Sequence, residues 1–289
     1  MRRPRANAPA RGAALLVVVW LIALLAATIG AFAAVARVEH VQGRVLNRGV
    51  VADQVARAGL EYAMTRVVEF DPRRQWVADG RPYTWRFADA EVEVVVVDES
   101  GKIDLNGADA TLLTSMFTVA GVERAEAARL ASAVMDWRDS DPLSQPEGGA
   151  EDPDYEAAER PYGAKDAPFE TIAELQLVLG VTQAVYDRLA PHITVYSGQG
   201  RPNEQFAGAL VLQAMGMDAE RVIAERRRPR LPGENPLVGA GTGTYSIDSR
   251  ARLRDGRSSV LRAVVRVGNS GLPGSSYTPL RWEEGALAR

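Results

Sequence analysis

Between Asp136 and Glu156, 21 residues carry eight carboxylates and a single arginine. The segment reads Asp136-Trp137-Arg138-Asp139-Ser140-Asp141, and then Gly148-Gly149-Ala150-Glu151-Asp152-Pro153-Asp154-Tyr155. Ordering so many like charges in one loop costs on the order of several kcal/mol unless a cation offsets them. Carboxylate oxygens are hard ligands and favour calcium, which accepts about six to eight oxygens at flexible geometry. Asp139 and Asp141 can place two side chains on one ion, and Glu151 and Asp154 can close the site from the far side of the glycine turn. The spacing does not fit an EF-hand loop. The competing reading is a solvated acidic loop that holds no metal.

Other chemistries find less support. A pair of carboxylates can serve a glycosidase, but no nucleophile elbow, nearby histidine or second catalytic motif accompanies this one, so the chain is read as a non-enzyme. With no cysteine, thiol nucleophiles, disulfides and thiolate zinc sites are excluded. His40 and His192 are far apart in sequence, which argues against histidine-rich transition-metal chemistry. A net charge of −3 argues against a general polyanion binder. Gly239-Ala240-Gly241-Thr242-Gly243 precedes a strand instead of opening a helix, which argues against nucleotide binding. The basic run from Arg226 to Arg230 ends a helix and is expected to be a solvated surface. Leu105-Asn106-Gly107-Ala108 through Gly121-Val122, with Leu175 through Gly180-Val181, resembles helix-hairpin-helix repeats that grip DNA backbones. This is the alternative function: a membrane-anchored, pilin-like DNA-binding protein. Against it, Glu123 and Glu126 follow the first turn, and the acidic loop would repel phosphate.

The elements that must hold these residues begin with a long helix. Arg2, Arg3, Arg5 and Arg11 precede an uncharged stretch from Gly12 to Ala36. About 20 apolar residues suffice to cross a bilayer, and the leading arginines should stay in the cytoplasm. The helical pattern continues to about Val68, a spine of roughly 80 Å at about 1.5 Å per residue. Asp71-Pro72 stops it. Strand patterns follow at Tyr83 to Phe87 and Glu91 to Val97, with Asp98-Glu99-Ser100-Gly101 as a turn. Helical patterns cover Ala108 to Ala120, Glu123 to Trp137, Phe169 to Leu179, Thr182 to Leu189 and Glu204 to Arg227. Strands return at Thr244 to Leu253 and Ser258 to Val267, joined by a turn at Asp255-Gly256, with a last one at Tyr277 to Trp282. Gly43, Gly49 and Gly59 lower the helix propensity of the spine, and either permit close approach or are simply tolerated. The fold class is α+β: a long N-terminal helix, an antiparallel sheet and an inserted α-helical domain.

The junction Arg11-Gly12 followed by Ala13-Ala14-Leu15-Leu16-Val17 resembles the prepilin leader of type IV pilins and type II secretion pseudopilins. The acidic segment, with its Asp-Trp-x-Asp-x-Asp, Gly-Ala-Glu and tyrosine, resembles the calcium-binding loop of the K-type minor pseudopilins, and the resemblance runs over nearly the whole chain. It implies the pseudopilin fold, with a leader at 1–12, a transmembrane segment at 13–36, and the periplasmic spine and first strands at 37–104. The inserted helical domain is then 105–200, and 201–289 returns to the sheet. It implies cutting after Gly12 by a prepilin peptidase and methylation of Ala13. Most of the superfamily has Glu at the fifth mature position; Val17 stands here, as in the K type. The implied calcium ligands are Asp136, Asp139, Asp141, Glu151 and Asp154. The family often has Asn where this chain has Asp166. The implied role is structural, at the tip of the type II secretion pseudopilus, initiating assembly and supporting export across the outer membrane. The implied location is the bacterial inner membrane, single-pass, with the head in the periplasm. The implied partners are the I- and J-type minor pseudopilins, with exported substrates or the outer-membrane secretin as further candidates and no nucleic acid.

Overall fold

Helix α1 runs from Arg11 to Val67, uninterrupted by proline. The computed structural model describes residues 11–71, 73–87, 89–228, 241–268 and 277–285, without the side chains of 11–14 and 38–48. The leader expected at 1–12 therefore lies outside the described residues, except for the helical backbone of Arg11 and Gly12. The chain divides into two units, 1–52 and 53–289. In the first, Leu15–Arg37 is long and apolar enough to cross a membrane, and its apolar side chains are exposed.

In the second unit the strands are β1 (Asp79–Phe87), β2 (Ala90–Asp98), β3 (Ile103–Asp104), β4 (Ile193–Thr194), β5 (Thr244–Arg252), β6 (Ser258–Val267) and β7 (Tyr277–Glu284). Five of them form one antiparallel sheet in the order β1-β2-β5-β6-β7. The last turns of α1 pack on it. Val55, Ala56, Leu60, Ala63, Met64 and Val67 fall three or four residues apart and form one buried stripe. Opposite them, Val92 and Val94 and Val96 point inward at the strand period of two. The run of four valines is thus not buried on both faces: Val95 and Val97 are only half-buried on the other side. Gly59 sets the helix–sheet distance, since a Cβ there would stand 2.2 Å from Ser249 Oγ and 2.7 Å from Val92 Cγ1. Gly49 has open space around it.

The helical layer comprises α2 (Ala110–Val119), α3 (Arg124–Arg138), α4 (Asp152–Ala157), α5 (Gln183–Leu189), α6 (Ala209–Ala214) and α7 (Ala219–Arg227). Its core includes Leu113, Phe117, Leu130, Trp137, Tyr155 and Leu189. Two expected helices come out differently. The span from Phe169 to Leu179 forms only a 3-10 turn at Ile172–Gln176, held by a reciprocal cap between Thr171 and Glu174. The span from Glu204 to Arg227 is two helices, because Gly216 turns into the left-handed region at φ +76° and Asp218 caps a new start at Arg221 N. Val211, Leu212 and Ala219 join the helical core, so the inserted layer extends past residue 200 and the return to the sheet begins at β5.

The entry to this layer and the end of its α2–α5 part lie side by side, as β3 and β4 pair in parallel with Ile103 opposite Ile193. This neck is built on buried carboxylates. Glu99, 1% exposed, accepts Lys102 Nζ at 2.6 Å and the hydroxyls of Thr194 and Ser246, linking the neck to β5. Asp98 accepts the Ser100 amide at 2.9 Å and the Thr242 amide at 2.6 Å. Asp104 accepts Asn106 N at 2.9 Å, Ser197 N at 3.0 Å and Gly198 N at 2.7 Å. The segment read as a simple turn at 98–101 is therefore a satisfied polar core.

Candidate metal centre

Helix α3 delivers the first two ligand candidates. Its last turn places Asp136 at 0% exposure, and Asp139 is the residue at its C-terminal cap, with its amide on Met135 O at 3.0 Å. Glu151 arrives from the other side as the N-terminal cap of α4, in a helix start preset by Pro153. Oxygen atoms of Asp136, Asp139 and Glu151 all lie within 4.8 Å of one another. Asp136 accepts Gln145 N with both oxygens, at 3.2 and 3.4 Å, and Gln145 Nε2 donates to Asp139 Oδ2 at 3.3 Å. That leaves Asp139 Oδ1 and Glu151 Oε1 buried without a hydrogen-bond partner. Apolar rings close the inner wall: Trp137 lies 5.9 Å from Tyr155 and 6.2 Å from Phe169, centroid to centroid.

Burial dominates the electrostatics. It pushes the Asp136 carboxyl up to about 6, against the pull of the Gln145 and Ala150 amides, with the charges of Asp139 and Asp141 adding to the rise. Burial, then Asp141, raises Asp139. Burial pushes Glu151 up to about 7, reinforced by Asp136, Asp139, Asp166 and Asp141. Carboxyls that resist ionisation beside one another, with orphaned oxygens turned to a common point, are a donor set for a hard cation.

Not all five expected ligands converge. Asp141 is exposed and its Oδ1 takes Leu143 N at 3.0 Å. Asp154 Oδ2 takes Glu151 N at 3.0 Å, so this carboxylate orients Glu151 and lies outside the group of three. The reason is local: an acid at the third position of a new helix turns back to the cap amide, and α4 was hidden in what reads as a loop. Sequence reasoning also missed Gln145 and Gly149. A Cβ at Gly149 would stand 1.8 Å from Asp136 Oδ2, so only glycine lets the loop close over that carboxylate; the Gly148-Gly149 pair was the available signal.

The helix-hairpin-helix reading meets an obstacle in the same unit. Glu123 Oε2 accepts Ala125 N at 2.9 Å and Glu126 N at 3.3 Å, and these bonds hold its carboxyl below the usual range. Thr182 Oγ1 occupies Val185 N at 3.3 Å. At these two helix starts the amides of Ala125, Glu126 and Val185 are thus already taken by side chains. Nor is Arg226 a solvated cation. It is partly buried and donates to Gln205 O at 3.2 Å and Ala207 O at 2.7 Å.

A helix whose last turns pack on an antiparallel sheet, with a helical layer inserted between its strands, defines a fold of the α+β class. Residues 94–198 match the family described as Type II secretion system (T2SS), protein K. Over 135 residues it is 29% identical to type II secretion system protein K of Klebsiella pneumoniae, covering 42% of this chain and 40% of that protein. The protein K of Aeromonas hydrophila is 33% identical over 115 residues, 36% of this chain and 35% of that protein. The matched segments thus span less than half the length of these relatives. The fold is that of a chain in the crystal structure of the GspK-GspI-GspJ complex from the enterotoxigenic Escherichia coli type 2 secretion system. That match has a TM-score of 0.59 at 16% identity and covers 87% of this chain and 99% of that one.

Proposed function

We propose that the chain is the K-type minor pseudopilin of a type II secretion system and acts by assembly, at the tip of the pseudopilus. The observation that carries this reading is the combination of a protein K domain at 94–198 with a spine helix whose Leu15–Arg37 segment suits a bilayer. The protein it resembles in fold was crystallised with GspI and GspJ, so I- and J-type subunits are the expected partners here. The exposed apolar spine anchors the subunit in the inner membrane and packs against the spines of those partners, with the head in the periplasm. In this reading a prepilin peptidase cuts after Gly12 and Ala13 becomes the methylated amino terminus. Val17, in place of the usual glutamate, suits a subunit that is never inserted beneath another.

Calcium is the proposed occupant of the carboxylate cluster, held by Asp136, Asp139 and Glu151. It would supply the positive charge that the buried, unpartnered oxygens lack, and its role is structural. The chain's own residues prepare the site: Gln145 orients Asp136 and Asp139, and Asp154 orients Glu151.

The test is co-purification of the full-length chain with I- and J-type subunits from detergent-solubilised membranes, with mass spectrometry of its amino terminus. A ternary complex and a methylated Ala13 terminus are expected. An intact Met1 in cells with active prepilin peptidase, or no association with either subunit, would overturn the assignment.

A further inference from the structure

Arg138 ends α3, between Asp136 and Asp139, and reaches away from both. Its guanidinium donates through NH1 to Leu105 O and through NH2 to Ala108 O at 2.7 Å. Those two carbonyls belong to the chain just past β3. Leu105 N continues the parallel ladder to Thr194 O at 2.9 Å, and Ala108 N bonds Asp104 O at 2.9 Å. One planar fork therefore ties the helix end that carries two of the three clustered carboxylates to both sides of the neck's first turn. Arginine's rigid fork fixes distance and angle in a way that a lysine point charge does not. The guanidinium is partly buried, and burial lowers its pKa against the opposing pull of the charges of Asp104, Asp139 and Asp109.

We infer that Arg138 is a positioning residue that locks the carboxylate cluster to the neck, so that an ion held by Asp136, Asp139 and Glu151 stiffens the β3–β4 junction. The inference rests on the calcium reading and adds to it a route from the ion to the join between helical layer and sheet. It opposes the simplest electrostatic expectation. A cation close enough to act on Asp139 repels a divalent ion, so a role through charge alone predicts tighter calcium binding once Arg138 is neutralised. A positioning role predicts weaker binding, because residues that orient metal ligands typically cost about 10–100-fold in affinity when lost.

The experiment uses the full chain in detergent micelles, as wild type, Arg138→Gln and Arg138→Lys. Calcium affinity is measured by titration calorimetry, and amide hydrogen exchange is followed at 103–108 and 193–198 with saturating calcium and with chelator. In the wild type, calcium slows exchange both at the acidic segment and at the neck. R138Q binds about 10–100-fold more weakly, and at saturation its acidic segment is protected but its neck is not. R138K keeps the charge without the fork and also loses neck protection, which serves as the second variant should R138Q fold poorly. Tighter binding by R138Q, or calcium protection of the neck in both variants, overturns the inference alone. No calcium binding by the wild type overturns the calcium reading and this inference with it.

Discussion

The neck and the acidic loop bury the same functional group and treat it in opposite ways. At the neck, Asp98, Glu99 and Asp104 are no more than 1% exposed, and each accepts several bonds from amides, hydroxyls or Lys102. In the loop, Asp136 and Glu151 are also buried, yet Glu151 Oε1 and Asp139 Oδ1 have no partner. A buried carboxylate that is fully hydrogen-bonded is a structural joint, while one with an unpartnered oxygen keeps a lone pair that a cation could take. Burial and residue type do not separate the two; counting donors does.

The largest expected effect breaks the joint. Glu99→Ala strands Lys102 and two hydroxyls in the neck, and loss of one member of a buried charge pair costs about 3–5 kcal/mol. Urea unfolding should show that loss equally with calcium and with chelator. A loss that calcium repairs would mean that the neck is not independent of the metal.

Glu151→Gln should behave in the reverse sense. Without calcium it should be close to neutral, because the substituted amide removes a charge the site does not compensate. With calcium at about 100 times the wild-type Kd, it should forfeit most of a gain of about 2.7 kcal/mol. Thermal melts in calcium, magnesium and chelator separate this from ionic-strength screening, which all salts reproduce.

Acidity offers a third cut. Asp136 and Glu151 have raised carboxyls in the folded state, at about 6 and about 7, so the folded chain holds their protons more tightly than the unfolded one. Their contribution to metal-free stability is complete below the ordinary carboxylate range, near pH 4, and is lost as pH rises through 6 to 7. Calcium requires the ionised forms, so its stabilisation should be absent near pH 5 and grow towards pH 8. A calcium shift in melting temperature that is flat across this range would contradict the ligand assignment.

The smallest effect tests orientation. Asp154→Ala removes the return bond to Glu151 N and should cost about 1 kcal/mol, with a partial loss of calcium response that calorimetry resolves. An unchanged response would mean that Glu151 needs no such guide.

Much of this was legible in the residues, and the rest was hidden for identifiable reasons. The spine, β2, the β5–β6 hairpin and helices α2, α3 and α5 carry long periodic patterns or strong turn signals. Gly256, in the Asp-Gly turn, has φ +85° as such a turn requires. The split of α6 from α7 depended on one glycine whose φ composition does not reveal. β3 and β4 are two residues each, too short for any period, and their pairing joins residues 90 apart in the chain. The acidic loop announced its charge plainly, but composition could not say which carboxylates converge. A hidden helix turned Asp154 towards an amide, and a close contact reserved for Gly149 seated Asp136.

The parallel β3–β4 ladder has a consequence in chain entropy. Because Ile103 and Ile193 are partners, the sheet's own strands experience the whole helical layer up to β4 as a closed loop whose ends are already joined. The entropic cost of such a loop grows only with the logarithm of its length, by about 0.6 kcal/mol for each doubling. Helices can therefore be lengthened, shortened or exchanged beyond the ladder at little cost to the sheet, provided that the two ends still meet at Ile103 and Ile193.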